Sequence, residues 1–511
     1  MRQARERAVR PGAYGVLYLL FASALLLAHL PWIGLPYFWD EAGYYIPAAL
    51  DFFHGASLIA HSVAPSIHPP GLSIYLSTVW ALTGFHIEST RCAMLALAAA
   101  AALCGMLLAI ELLRDARGMP ALLAAAMVCL SPVFFAQAML AQTDMPAMLF
   151  TSLALWLFLR DRTGLAVLAC AALVIVKETG IAAPLVFSAW LAHERRWREA
   201  AWFLAPVAVL MAWVATVAHA TGHWAGNIQF LNYNLLYPLH PGRIAADVFR
   251  RLYYLFGANL HWIGAFAILF AWRTSAIFRG RNWRVAATFA AVHTALVTLL
   301  GGATLERYLL PVLPILYAAM AAGISLFPRR PRLLCSAALL AGLGAGIFVN
   351  PPYPFPLEDN LAWTSFVRLQ SAAADYLNDW YSGARIASAW PLSAELSLPE
   401  LGYTDRHLSV ETLNDPTPAS LQRFDWASAG VVAIFSREWD PPLSPLRIAL
   451  FRRLWGALFA YAPLATEEEV RRIAPYPAAV HWERNGQWMD LYINPRQAVT
   501  PPEKRLHALR K

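Results

Sequence analysis

Short arginine clusters recur through a chain that is otherwise almost free of charge, and the acids fall in the gaps between them. The clusters are Arg2/Arg5/Arg7/Arg10, Arg114/Arg117, Arg160/Arg162, Arg195/Arg196/Arg198, Arg273/Arg279/Arg281/Arg284 and Arg329/Arg330/Arg332. A seventh, Arg250/Arg251, stands out of register. Between them lie Asp40-Glu41, Asp144, Lys177-Glu178 and Glu306-Arg307. Basic loops are retained on the cytoplasmic side of a membrane. The acids then gather on the opposite side, where carboxylates at helix ends are costly and usually have a task.

Composition agrees with a membrane protein. Of 511 residues 59% are hydrophobic and only 14% are charged, against about half and about a quarter in soluble domains. The net charge of +8 comes from arginines at loop ends and not from a basic patch, which speaks against nucleic acid as a partner. Cys92, Cys104, Cys129, Cys170 and Cys335 all fall in apolar runs and read as small hydrophobes. No CxxC or Cys/His cluster suggests metal or redox work.

Roughly eleven spans can be drawn at the length a bilayer requires. They lie near 12–31, 90–113, 119–137, 145–160, 164–177, 180–194, 200–219, 253–272, 285–302, 308–327 and 333–349. The first is basic then apolar, as in a signal peptide. It is followed by Pro31-Trp32 and not by a small-residue cleavage site, so it reads as a retained span. An odd count places the N-terminus in the cytoplasm and the C-terminus outside. The expected fold is a polytopic α-helical membrane protein over 1–350, with a soluble α/β domain over 351–511 on the periplasmic side of the inner (plasma) membrane.

Two outer loops are long. Residues 32–89 hold two half-apolar stretches, 41–54 and 70–85, suited to lying in the interface. Residues 220–252 are polar and aromatic, and long ordered loops often carry function. Pro351, Pro352, Pro354 and Pro356 form a stiff linker. Beyond it, strands are expected at 385–390, 407–413, 430–435 and 488–493, and helices at 361–380 and 445–462.

The outer ends hold the residues suited to chemistry. Asp40-Glu41 is a carboxylate pair suited to general-base work or to a divalent cation; it also fits a helix N-cap with a first-turn acid. His68-Pro69-Pro70 starts the second interfacial stretch, and its histidine either holds a phosphate oxygen or is a satisfied loop residue. Asp144 caps a helix at a hairpin tip or joins Asp40 in a site. Lys177-Glu178 and Glu306-Arg307 either neutralise themselves or meet an anionic head group. Arg243, Arg250 and Arg251 break the positive-inside pattern, which marks them as anion-binding candidates. Acids for deprotonation and cations for phosphate, together on the outer face, suit group transfer from a lipid-phosphate donor. A transporter or flippase of a lipid-linked sugar is the alternative. It calls for polar residues near the mid-plane and paired halves, and neither is visible.

Asp40-Glu41, His68-Pro69-Pro70, Thr143-Asp144-Met145-Pro146, Lys177-Glu178-Thr179-Gly180 and Arg307-Tyr308-Leu309-Leu310-Pro311 occur in this order. Over residues 12–350 the chain resembles GT-C membrane glycosyltransferases that use polyprenyl-phosphate sugars, the protein O-mannosyltransferases and the lipid A aminoarabinose transferases. The resemblance implies Asp40 as the catalytic carboxylate, supported by Glu41 and Asp144. It implies Lys177, Arg307 and Arg243 at the donor phosphate, with His68 where the aminoarabinose transferases often have lysine. The implied partners are a polyprenyl-phosphate sugar, membrane lipids, and a lipid, glycan or protein acceptor. No cofactor is required by these residues, and a divalent metal stays open.

Overall fold

The computed structural model describes residues 11–114, 120–437, 439, 441, 444, 448–459 and 463–497. The basic cluster before Pro11, Arg117, and 445–447 and 460–462 of the expected helix 445–462 lie outside the described residues. The helices, in order, are α1 (Pro11–His29), α2 (Ile46–Gly55), α3 (Gly71–Thr83), α4 (Ile87–Leu112), α5 (Pro120–Leu130), α6 (Pro132–Gln137), α7 (Asp144–Leu159) and α8 (Thr163–Val176). They continue as α9 (Ala182–His193), α10 (Trp197–Trp202), α11 (Leu204–Thr221), α12 (Ile228–Leu231), α13 (Pro241–Phe256), α14 (His261–Thr274), α15 (Arg281–Leu299), α16 (Leu313–Ser325) and α17 (Arg329–Phe348). Every apolar segment expected to span coincides with one of these helices or with a consecutive pair. Among the described residues, five helical stretches are long and apolar enough to cross a bilayer, and six if the bent α13–α14 pair is one span. This is a multi-pass membrane protein.

The element starts follow local chemistry. α7 opens with Asp144 in its first turn and Pro146 two residues on, an acid at the positive end of the helix dipole and a proline where no N–H is needed. Lys177 is extended, with φ −147° and ψ 128°, and separates α8 from a short 3-10 turn, Glu178–Ile181. Glu306–Val312 is also 3-10, with Pro311 inside it. A proline that cannot donate the i−4 bond favours such a tightened segment before α16 begins.

The two half-apolar stretches of residues 32–89 are helical, as α2 and α3. The second outer loop is shorter than 220–252: α13 begins at Pro241, and Arg243, Asp247 and Arg251 lie on its protein-facing side. The expected span at 253–272 therefore starts at His261, after a 45° bend. Its cause is local: Asn259 and Leu260 have positive φ and interrupt the helix.

Beyond α17 come α18 (Ala362–Trp380), β1 (Ile386–Ala389), α19 (Leu392–Ser397), β2 (Val410–Leu413), α20 (Pro418–Arg423), β3 (Val431–Phe435), α21 (Ala449–Phe459), α22 (Glu467–Ile473), β4 (Val480–Arg484) and β5 (Gln487–Ile493). The strands form one sheet in the order β2-β1-β3-β5-β4. β1 runs parallel to β2 and β3, with Ile386 opposite Val410 and Val431, and β5 is antiparallel to β3 and β4. Four strands match the expected runs; β4 is additional. It pairs with β5 across a two-residue Asn485-Gly486 turn at positive φ, the combination a tight hairpin favours. The sheet's core is continuous with the core of the helices.

Candidate active site

A cavity of about 880 Å³ lies between helix ends of the bundle and the C-terminal part. Asp40, His68, Lys177 and Arg307 line it, brought together from four separated stretches of sequence. Asp40 sits at the turn between α1 and α2, where Trp39 has φ 47° and Glu41–Tyr45 forms a π turn. Such irregular backbone is costly and recurs at functional sites. It leaves the Asp40 carboxylate 30% exposed, facing the cavity.

Arg307 is the hub. Its guanidinium donates to Asp40 at 2.5 Å and to Glu358 at 3.1 Å, and it also bonds Gln142. Its Nε lies 3.5 Å from Asp144. Lys177 pairs with the other oxygen of Asp144. The Tyr308 ring carries Lys177 4.6 Å from its centroid, Arg307 at 5.5 Å and Arg251 at 5.9 Å. The negative face of an aromatic ring holds several cations close without neutralising them. His68 bonds Glu178 at 3.1 Å and packs edge-on to Tyr44 and Phe230.

Three of the expected residues do not line the cavity. Glu41 turns away from Asp40 into the protein, fully buried. It pairs with Arg91 at 2.5 Å and accepts from the Ala141 and Phe38 amides. Its geometry is that of a clamp between the first outer turn and the 138–143 loop. Asp144 lies one layer behind the cavity, buried against Lys177 and Arg307. Arg243 is buried under Tyr237 and donates to the Gly301 carbonyl at 2.7 Å, beside Asp247. Arg250 and Arg251 are likewise engaged: Arg250 grips Glu306 at 2.7 Å and Arg251 donates to the Leu305 carbonyl at 2.5 Å. These three arginines brace the segment that carries Arg307.

Several residues around the site carry no sequence signal of their own. Glu358, just past the proline linker, reaches Arg307 and accepts from Gln142 at 3.3 Å. Burial pushes its carboxyl up to about 7, against the pull of Arg307. Burial and the neighbouring Glu306 also raise Asp359. From the C-terminal part, Trp390 and Arg437 roof the cavity. Trp390 packs edge-on to Trp39 at 5.2 Å, and Arg437 lies over Trp39 at 5.3 Å while paired with Asp415. Gly43 permits the close approach of the roof, because a Cβ there would meet the Trp390 ring at 2.4 Å. Among the described residues, the one group of three metal-type ligands with suitable spacing is Glu467, His481 and Asp490, in the sheet and α22. Arg471 already sits among them, 3.3 Å from Asp490 and 2.5 Å from Glu467.

The helix bundle with acids and cations around this cavity has the fold of the GT-C glycosyltransferases. Residues 67–305 match the family model of Glycosyltransferase family 87, just under half of the chain. No curated protein matches the chain. Among solved structures it is similar to ArnT from Cupriavidus metallidurans in the apo state, with TM-score 0.54 and 14% identity over 78% of this chain and 86% of that one. The same protein bound to undecaprenyl phosphate aligns with TM-score 0.54 and 13% identity over 96% of this chain and 100% of that one. The archaeal oligosaccharyltransferase AglB from Archaeoglobus fulgidus, in complex with an inhibitory peptide and a dolichol-phosphate, aligns with TM-score 0.50 and 10% identity, covering 95% of this chain and 75% of that one. At such identities the likeness is one of fold.

Proposed function

We propose that the protein transfers a sugar from a polyprenyl-phosphate donor to a lipid, glycan or protein acceptor on the outer side of the inner membrane. The observation that carries this reading is the Asp40–Arg307 contact at 2.5 Å inside a cavity that also presents Lys177. Asp40 serves as general base toward the acceptor hydroxyl. The acceptor oxygen forms the new glycosidic bond as the sugar's bond to the phosphate oxygen breaks, and the polyprenyl phosphate leaves with that electron pair. Lys177 and Arg307 stabilise the growing charge on the leaving phosphate. His68, just before α3, lines the same cavity as Lys177. Asp144, Glu41 and Arg243 act through the residues they hold. If a divalent ion takes part, Asp40 is the one of Asp40, Glu41 and Asp144 exposed to receive it.

In this reading the bundle crosses the membrane about eleven times, counting short and broken helices together. Residues 1–350 form the transferase part. Residues 351–511 form a soluble α/β domain on the periplasmic side, roofing the acceptor end of the cavity with Trp390 and Arg437. The deciding experiment is mass spectrometry of membrane lipids from a deletion strain. A polyprenyl-phosphate sugar should accumulate there and disappear on complementation with the parent but not with Asp40→Asn. An unchanged lipid-linked sugar pool would refute the donor class.

A further inference from the structure

α13 is amphipathic in the reverse sense to a helix of a soluble protein. Its buried residues are Arg243, Asp247, Arg251, Tyr254 and Leu255, mostly polar. Its outward residues are Val248, Phe249, Leu252, Tyr253 and Phe256, with Phe249 72% exposed. A helix that keeps its charges inside and turns its apolar face outward suits lipid and not water. α13 also runs through the bend into α14, with which it qualifies as a broken span.

α21, from the C-terminal part, packs against α13. It and the residue just before it expose Ile448, Leu450, Phe451 and Leu454, with Leu450 at 63% and Leu454 at 57%. Among the described residues beyond Val349, no other large apolar side chain stands exposed. The exposed apolar side chains of the C-terminal part, among the described residues, are thus gathered in one place, next to α13. Exposed apolar surface concentrated in this way marks an interaction site. Arg453 is exposed on the same helix, and Arg452 is held by Glu469 on α22. An arginine beside an apolar face can keep its stem in the boundary layer and its guanidinium among lipid phosphates.

We propose that α21 is a membrane anchor: its apolar face lies in the outer leaflet beside α13 and tethers the C-terminal part to the bilayer. The anchor needs α13 to border lipid and does not depend on the reaction proposed above. Interfacial helices of this kind bury their apolar face roughly 5–10 Å deep, a depth that leaves the sheet in water and the roof residues at the cavity mouth.

Site-specific photocrosslinking tests this in the full-length protein in nanodiscs of phosphatidylcholine and phosphatidylglycerol. Benzoylphenylalanine replaces Leu450 or Leu454 in turn, and Arg385 as reference. Arg385 is exposed and precedes β1, at the opposite end of that strand from Trp390. After irradiation, mass spectrometry should find a several-fold excess of lipid adducts at 450 and 454 over 385. The positions are exposed, so the folded, monodisperse protein should be recovered for each variant. Lipid adducts at 450 and 454 no more frequent than at 385 would overturn the anchor. Crosslinks from those positions into a second copy of the chain would also overturn it, assigning the face to self-association.

Discussion

Asp40→Asn removes a charge and keeps a shape, so its consequences can be apportioned from the geometry. The Asp40 carboxylate is 30% exposed and holds Arg307 at 2.5 Å. Arg307 keeps the Asp144 carboxylate at 3.5 Å when Asp40 is neutralised, so its charge stays compensated. The stability cost should then be that of a partly exposed pair, about 1 kcal/mol or less. Loss of a general base typically lowers the rate about 10²–10⁴-fold, or about 3–5 kcal/mol in the barrier. Turnover should therefore collapse while the unfolding temperature moves little. The assay is transfer from a defined polyprenyl-phosphate sugar by purified protein in nanodiscs, with membrane extract as acceptor source and donor at saturation, beside a thermal unfolding curve. If Asp40 only positions Arg307, the variant should regain its rate at high donor and show its loss in donor KM. Near-normal turnover by a well-folded Asp40→Asn protein would refute the base assignment outright.

Other consequences separate binding from structure. Lys177→Ala and Arg307→Ala should raise the donor KM or lower turnover at saturating donor, with acceptor KM nearly unchanged; unaltered donor kinetics in both would remove them from the phosphate site. Glu41→Gln leaves the fully buried Arg91 unpaired, which typically costs about 3–5 kcal/mol. It should lower the unfolding temperature sharply and leave donor KM intact in whatever protein folds, and a stable but inactive variant would return Glu41 to the chemistry. Gly43→Ala should displace Trp390 and raise acceptor KM more than donor KM in two-substrate kinetics. Burial raises Glu358, from 4.5 in the unfolded chain to about 7. Its contribution to stability is fully present below pH 4.5 and is lost as pH rises through about 7. Asp359 and the buried Glu395 are raised in the same direction. Thermal stability should therefore fall across that interval, and Glu358→Gln should flatten part of the slope in a pH series of melting curves.

Much of this architecture is legible in the sequence because two independent physical rules act on it. Apolar length locates the helices, and arginine retention on one side orders their ends. Together they bring Asp40, Lys177 and Arg307 to one face before any contact is known. The rules fail where a side chain's direction decides. Glu41 follows Asp40 by one residue, and the π turn sends the two carboxylates to opposite sides. Its partner Arg91 was open to detection, since an arginine inside a 26-residue apolar helix is costly enough to demand a buried acid. Glu358, Trp390 and Arg437 lie in a tail whose local patterns specify strands and turns, and only tertiary packing brings them to the cavity. The strands themselves were visible through alternation and β-branched runs, whereas β4, with His481, Glu483 and Arg484 in five residues, has too few apolar positions to announce itself.

In the proposed reading, the raised pKa of Glu358 bears on donor binding. Arg307 faces Asp40, Asp144 and Glu358, and Lys177 pairs with Asp144. With all three acids ionised the cluster would be net negative and would repel a phosphate. A proton on Glu358 removes one negative charge from beside Arg307, which in the proposed reading eases the approach of the donor phosphodiester to Lys177 and Arg307. In the proposed reaction the phosphate gains a second negative charge beside Lys177 and Arg307 as the sugar leaves, and their attraction then grows at the moment it assists the reaction. Donor affinity should consequently weaken as pH rises through about 7, where Glu358 ionises. Glu358→Gln should abolish that weakening while preserving affinity at low pH. A donor KM that is flat with pH in the parent protein would sever Glu358 from donor binding and leave it a structural partner of Arg307.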